Sequence, residues 1–270
     1  MTELMIGAVA YDPKVVPIWE GIREYFRGAP VEMDFVLFSN YEAQVSALLA
    51  GRIDVAWNTN LAYVRTHHAT GGACRVLAMR DTDVGFRTLL VGRVGELARA
   101  EDLRGKTLAL GSADSAQAAI MPVHYLHVEG LLPGEDIELL RFDADVGKHG
   151  DTGTSERDAV AAVLDGRADA AAVGAASWDI LVRGGEVPPS MLAPLWTSPA
   201  YAHCNFTAMP TLDQETSEGW VKHLRAMDWA DPAHRRILEL EGLREWIEPQ
   251  LDGYRDLFDA VEEQGLAARW

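Results

Sequence analysis

The sequence holds two cysteines in 270 residues, Cys74 and Cys204. They allow at most one bridge, so no disulfide framework braces this chain, and whether they pair is left open. No apolar run approaches the roughly 18 residues of a membrane helix, which excludes membrane insertion through one. Basic residues are scarce: 24 Lys and Arg face 41 Asp and Glu, a net charge of −17. That balance argues against nucleic acid and anionic membrane surfaces as partners. It leaves a small anionic ligand open, because local dipoles and amide groups hold such ligands. No Walker, G-x-G-x-x-G, H-E-x-x-H or C-x-x-C motif occurs, so neither a cofactor nor a metal is expected. The first residues, MTELMIGAV, lack the basic and apolar regions of a signal peptide. As it stands the sequence predicts a cytoplasmic protein, or a periplasmic or extracellular one if a leader has been removed.

What is present is a core-forming composition, 48% hydrophobic, and an internal repeat. Leu49-Ala-Gly51-Arg52-Ile-Asp54-Val-Ala56 matches Leu164-Asp-Gly166-Arg167-Ala-Asp169-Ala-Ala171. Each octet falls between an amphipathic helical stretch and a short apolar strand, the pattern of a duplicated α/β unit. Upstream, Leu4 to Val9 and Lys106 to Leu110 are both short strands that run through a loop into a helix. Two α/β lobes follow. The first is expected to be discontinuous, 1–88 plus 199–270, with the C-terminal helices packed back on it; the second spans 89–198. Two chain crossings between such lobes predict a hinge and a cleft.

The residues L-x-G-R-x-D-x-A-W at 49–57, F-R-T-L-L-V at 86–91 and D-L-R-G-K-T-L-A-L at 102–110 resemble a known family. So do the S-x-x-x-x-x-x-P turn from Ser115 to Pro122, G-K-H-G at 147–150 and W-T-S-P at 196–199. The resemblance is to the phosphate, phosphite and phosphonate-binding proteins of ABC transporters. It implies the type II periplasmic-binding-protein fold, a small anionic or polar ligand in the interlobe cleft, an ABC permease as partner, and a monomer that works by hinge closure. The sequence departs from the family's S-T-S-G turn, where it has Ser115, Ala116, Gln117 and Ala118, so one hydroxyl remains of three. The alternative is a cytoplasmic lyase on the same fold, a decarboxylase or dehydratase, with Asp12, Asp114, His149 and Asp151 as its acids and bases.

Candidate ligand residues sit where strands end and helices begin. Asn58 and Thr59 precede one helix, and Ser115 and Gln117 open another; free amides there suit an anion or carboxylate. Each set is read equally well as a plain N-cap. Tyr11 and Trp57 offer rings to stack on a ligand, with core packing as the other reading. Arg87, next to Thr88 at the first crossing, offers a guanidinium fork or a hinge salt bridge. His149 lies in a polar loop placed like the family's G-G-H element. His203 and Cys204, adjacent in an expected strand, should point to opposite faces.

Overall fold

The computed structural model describes residues 2–269. The chain divides into two compact units, Met1–Gly85 with Ala202–Tyr254 and Phe86–Tyr201 with Arg255–Trp270.

Unit 1 is built on strands β1 (Thr2–Val9), β2 (Val31–Phe38), β3 (Val55–Asn58), β4 (Arg75–Arg80), β10 (Asn205–Ala208) and β11 (Trp246–Ile247). They lie in the order β11-β4-β10-β3-β1-β2. β1 runs parallel to both β2 and β3, whereas β10 is antiparallel to β3 and β4. Alternate residues of a strand face opposite sides, and β1 obeys this closely. Leu4, Ile6 and Ala8 enter a large core with Trp19 and Ile22 of α1 (Val15–Tyr25) and with Trp220 and Leu224 of α7 (Gln214–Leu224). Met5 and Val9 face smaller clusters under α2 (Tyr41–Leu49) and α3 (Asn60–Ala69).

Unit 2 repeats the plan with β5 (Thr88–Arg93), β6 (Thr107–Leu110), β7 (Glu138–Arg141), β8 (Ala170–Gly174) and β9 (Leu192–Thr197), in the order β7-β6-β8-β5-β9. β6 is parallel to β7 and β8, and β5 is antiparallel to β8 and β9. In both sheets the antiparallel strand beside the third parallel strand is the one that follows a chain crossing. Leu89, Val91, Ala171 and Val173 pack under α5 (Thr154–Leu164) and α6 (Ala175–Arg183). Leu90, Leu108, Leu110 and Ala172 pack on the other side with Leu126 of α4 (Met121–Val128).

The repeated octet is a structural device. Gly51 and Gly166 have φ of +65° and +75°, the left-handed conformation glycine adopts freely after a helix. Arg52 N then donates to Ala47 O, and Arg167 N to Ala162 O. The two aspartates also do the same job. Asp54 Oδ2 accepts from Met5 N at 2.7 Å, and Asp169 Oδ2 from Thr107 N at 2.9 Å. Each carboxylate thus pairs a backbone donor of its unit's first parallel strand. Asp54→Ala and Asp169→Ala are each expected to lose about 1–2 kcal/mol in urea unfolding, the value of a charge-assisted bond at a half-buried site. A loss below a few tenths would show that water replaces the carboxylate fully.

One boundary differs from expectation. α9 (Arg255–Glu263) was expected with 1–88 but belongs to unit 2. Tyr125 Oη donates to Asp256 Oδ2 at 2.6 Å, His124 Nδ1 lies 2.7 Å from Glu263 Oε2, and Gln264 Nε2 donates to Ile120 O. Leu257, Ala260 and Val261 mark an apolar face in the sequence, but these polar partners choose α4 as the surface it meets.

Candidate functional site

In unit 2, β6 ends at Leu110 and the chain enters Gly111-Ser112-Ala113-Asp114-Ser115 before a π-helical turn over Ala116–Ile120 that runs on into α4. π-Helical turns of this kind recur at functional sites. Ser115 caps the turn by accepting from Ala118 N at 3.2 Å. Ser115 and Gln117 are 0% and 4% exposed. Gly150 explains their burial: a Cβ there would lie 2.4 Å from Ser115 Oγ and 2.7 Å from Gln117 Nε2, so only a bare backbone passes. Gly111 is similarly tight against Ala118 and Ser155.

The loop before α5 is pinned to this turn. Asp114 Oδ2 accepts from Gly147 N, and Asp143 Oδ1 accepts from Ala113 N. His149 follows at φ +53°, the one non-glycine residue described with positive φ, and it is buried. A non-glycine residue held there stores strain, a common mark of functional loops. Thr88 Oγ1 donates to Gln117 O at 2.8 Å and lies 2.9 Å from Tyr201 Oη, so it positions the turn with its hydroxyl already engaged. Arg87 is exposed, and its Nη1 donates to Ser198 O at 2.7 Å.

Four buried polar atoms around this turn have no hydrogen-bond partner within the protein: Ser112 Oγ, Asp114 Oδ1, Ser155 Oγ and Gln117 Oε1. Orphaned polar atoms of buried side chains cost free energy unless a ligand or water meets them. Glu156 completes the set. At 1% exposure, its Oε1 accepts from Gly174 N at 2.6 Å and its Oε2 from Ser177 Oγ at 2.7 Å. Burial, reinforced by the charge of Asp151, outweighs those bonds and pushes its carboxyl up to about 7. The folded state therefore binds this proton more tightly than the unfolded chain, whose Glu titrates near the usual ~4.3. The stabilisation is complete below the unfolded value and is lost as pH rises through about 7. Unit 2 is expected to unfold at lower urea at pH 8 than at pH 5, by up to about 3 kcal/mol. Glu156→Gln should flatten that dependence, and an unchanged slope would exclude Glu156 as its source.

Unit 1 carries a smaller counterpart. Thr59 caps α3 by accepting from Ala62 N at 3.3 Å. Asn58 is fully buried, with Oδ1 taking Gln44 Nε2 at 2.9 Å, while Asn58 Nδ2 and Gln44 Oε1 have no protein partner. Trp57 does not join them. It is 7% exposed and packs against Phe206 and Trp246, with Arg80 over its ring at 5.2 Å, which makes it a core group. Tyr11 is half-buried, packs on the same core and has Lys14 Nζ over its ring at 5.5 Å. Asp12 is exposed and accepts from Lys14 N, as an Asx turn does. Asp114, His149 and Asp151 lie in unit 2, where Asp114 is occupied in part by Gly147.

His203 and Cys204 precede β10 rather than lying in it, so strand alternation does not separate them, and His203 Nδ1 sits 3.0 Å from Cys204 Sγ. With Asp83 they form a buried group of metal-ligand type. Arg80 already grips Asp83 there through Nε and Nη2 at 2.7 and 2.9 Å, so the group is an internal ion pair. Cys74 and Cys204 are both free thiols. A cavity of about 690 Å³ in unit 1, between β4, β11 and α7, is edged by the salt-bridged Arg225 and Glu248 and lies apart from the start of α3.

Sequence reasoning missed Gln44, Ser112, Ser155 and Glu156. Two of them left a signal. Gln44 shares a helical face with Tyr41, Val45 and Leu48, and Glu156 shares one with Ala159, Val160 and Val163. A polar residue on an apolar stripe is a buried group with a task.

A family model described as "ABC transporter, phosphonate, periplasmic substrate-binding protein" matches residues 9–254. A probable ABC transporter phosphite-binding protein, PhnD1 of Prochlorococcus marinus (strain MIT 9301), is 23% identical over 246 residues, which is 87% of this chain and 80% of that protein. The solved structure of PhnD1 with methylphosphonate superposes with a TM-score of 0.76 at 19% identity, covering 98% of each chain. XAC2383 of Xanthomonas citri, solved with ATP, superposes at 0.75 and 18% identity over 97% of this chain and 98% of that one. These likenesses establish the type II periplasmic-binding-protein fold expected from the sequence. With its model matched over most of its length, the chain belongs to the phosphonate substrate-binding protein family of ABC transporters.

Proposed function

We propose that this protein captures a small oxyanion-bearing solute, of the phosphonate or phosphite class, for an ABC permease, and that it acts in the periplasm or at the cell exterior. The observation that carries the reading is the set of buried, unpartnered polar atoms of Ser112, Ser155 and Gln117 beside the amides of the π-helical turn. Amides at a helix start, with hydroxyls beside them, suit an oxyanion. Among the described residues no helix is long and apolar enough to cross a membrane, which accords with a separate permease as partner. Family membership favours this reading over the lyase alternative. The ligand set in unit 2 is Ser112, Ser115, Gln117 and Ser155 with Arg87 and His149, and Thr88 as support; in unit 1 it is Asn58 and Thr59, with Tyr11 at the margin. The protein is proposed to act as a monomer.

The test is calorimetry with methylphosphonate. Ser115→Ala and Arg87→Ala should each lose about 1.5–3 kcal/mol, roughly ten- to a hundredfold in affinity. Both variants within about twofold of the parent protein, with the fold intact, would make the site assignment wrong.

A further inference from the structure

Pro122 shapes the π-helical turn. It has no backbone N–H, so Ala118 O loses its donor in the α register and Gln117 O loses its donor in the π register. Both carbonyls are met from outside the helix. Gly111 N donates to Ala118 O at 2.9 Å, and Thr88 Oγ1 donates to Gln117 O at 2.8 Å. At the start of the turn Ser115 O accepts from Ala119 N at 3.1 Å and from Ile120 N at 3.0 Å, so both registers draw on it. A third outside donor acts at the other end. Gln264 Nε2 donates to Ile120 O, the last carbonyl of the turn, at 2.9 Å. Gly111 and Thr88 lie on or beside strands of the unit 2 sheet, whereas Gln264 follows α9, 144 residues along the chain from Ile120. α9 is itself fixed in place. Glu263 meets Nδ1 of both His124 and His127, Asp256 accepts from Tyr125 Oη, and Leu257, Ala260 and Val261 are buried. Gln264 N still donates to Ala260 O, so the helix aims this side chain at the turn.

We infer that Gln264 is a positioning residue for solute capture: its bond to Ile120 O holds the π-helical turn in the register that presents Ser115 and Gln117. The inference rests on the capture reading proposed above and adds the C-terminal helix to what sets affinity. A π-helical turn is a one-residue excess in an α-helix. Resolving it to the α register rotates the residues at its start by about 100° about the helix axis relative to α4. Ser115 and Gln117 stand at that start, so the change of register carries them out of the site. A donor supplied from α9 stabilises the wide form, because it gives Ile120 O a partner that does not depend on the helical ladder. Gln264 touches no solute and acts only through the backbone of the turn.

The experiment titrates methylphosphonate calorimetrically into the parent protein, Gln264→Met, Gln264→Lys and Gln264→Glu, and follows amide hydrogen exchange over 116–120 without solute. Gln264→Met keeps the length and loses the donor. It should bind about tenfold more weakly, and its turn amides should exchange about tenfold faster. Gln264→Lys restores a donor of similar reach and should return to within about threefold of the parent in both measurements. Gln264→Glu sets an acceptor against the Ile120 carbonyl and should bind at least as weakly as Gln264→Met. An anchor for α9 alone would not make affinity follow the presence of a donor. Gln264→Met within about twofold of the parent, or Gln264→Lys as weak as Gln264→Met, would overturn the inference and leave the capture reading standing. Where Gln264→Met does not fold, Gln264→Lys and Gln264→Glu decide between them, and equal affinities would overturn it. A parent protein that binds no methylphosphonate would overturn the capture reading, and the inference with it.

Discussion

Gly150→Ala is expected to abolish methylphosphonate binding, with a loss of at least a hundredfold, and to destabilise unit 2 by about 2–3 kcal/mol. Two effects add. The residue sits at φ +85°, where a side chain strains the backbone, and the new methyl carbon would lie 2.4 Å from Ser115 Oγ and 2.7 Å from Gln117 Nε2. Relief requires moving the π-helical turn or the loop through His149, and either movement dismantles the same site. Gly153→Ala separates the two effects. Gly153 has φ +68°, yet nothing lies within 4 Å of the added carbon. It should show only the conformational penalty, about 1 kcal/mol, with near-normal binding. Urea unfolding and calorimetry of the two variants decide the matter. Equal effects from both would mean that the close approach of Gly150 to Ser115 and Gln117 has no bearing on the site.

Arg80→Ala should destabilise unit 1 by about 3 kcal/mol or more. Asp83 is 1% exposed, and the guanidinium fork of Arg80 holds both of its oxygens. Arg80 also donates to Glu241 O at 2.9 Å and covers the Trp57 ring. Opposing burial, the carboxylates of Asp83 and Glu241 hold this guanidinium well above the ordinary arginine range. Truncation leaves a buried carboxylate without a counter-charge, and that uncompensated charge supplies most of the loss. The double variant Arg80→Ala with Asp83→Asn is therefore expected to be more stable than the single one by about 1–2 kcal/mol. A double variant no better than the single would assign the loss to packing against Trp57.

Much of the architecture is legible in the sequence because its causes are local. Strand alternation in Leu4, Ile6 and Ala8, and the left-handed glycine after each L-x-G-R-x-D helix, depend on neighbours a few residues away. The repeat disclosed two α/β units for the same reason: each octet closes a helix and then pairs a carboxylate with the first strand of its own unit. Ser115 and Thr59 as caps were equally open to inspection, since a cap is defined by the next three residues.

Other features lie outside the reach of a sequence because they depend on which surfaces meet. An apolar stripe in Leu257, Ala260 and Val261 says that α9 is covered, and only the bonds from Tyr125, His124 and Gln264 say by what. Trp57 reads as well for a ligand platform as for a core ring until Phe206 and Trp246, some 150 and 190 residues away in the chain, close around it. The burial of Glu156 is of the same kind. Its place on α5 marks it as an inward-facing acid, but its proton affinity is set by the loss of water and by Asp151, Gly174 and Ser177. The sequence by itself determined the two-unit plan, its repeat and the capped helix starts at Thr59 and Ser115, because those follow from short-range geometry. The tertiary structure alone decided which polar atoms stand buried without partners and what charge stands among them, because desolvation is a property of everything packed around a group.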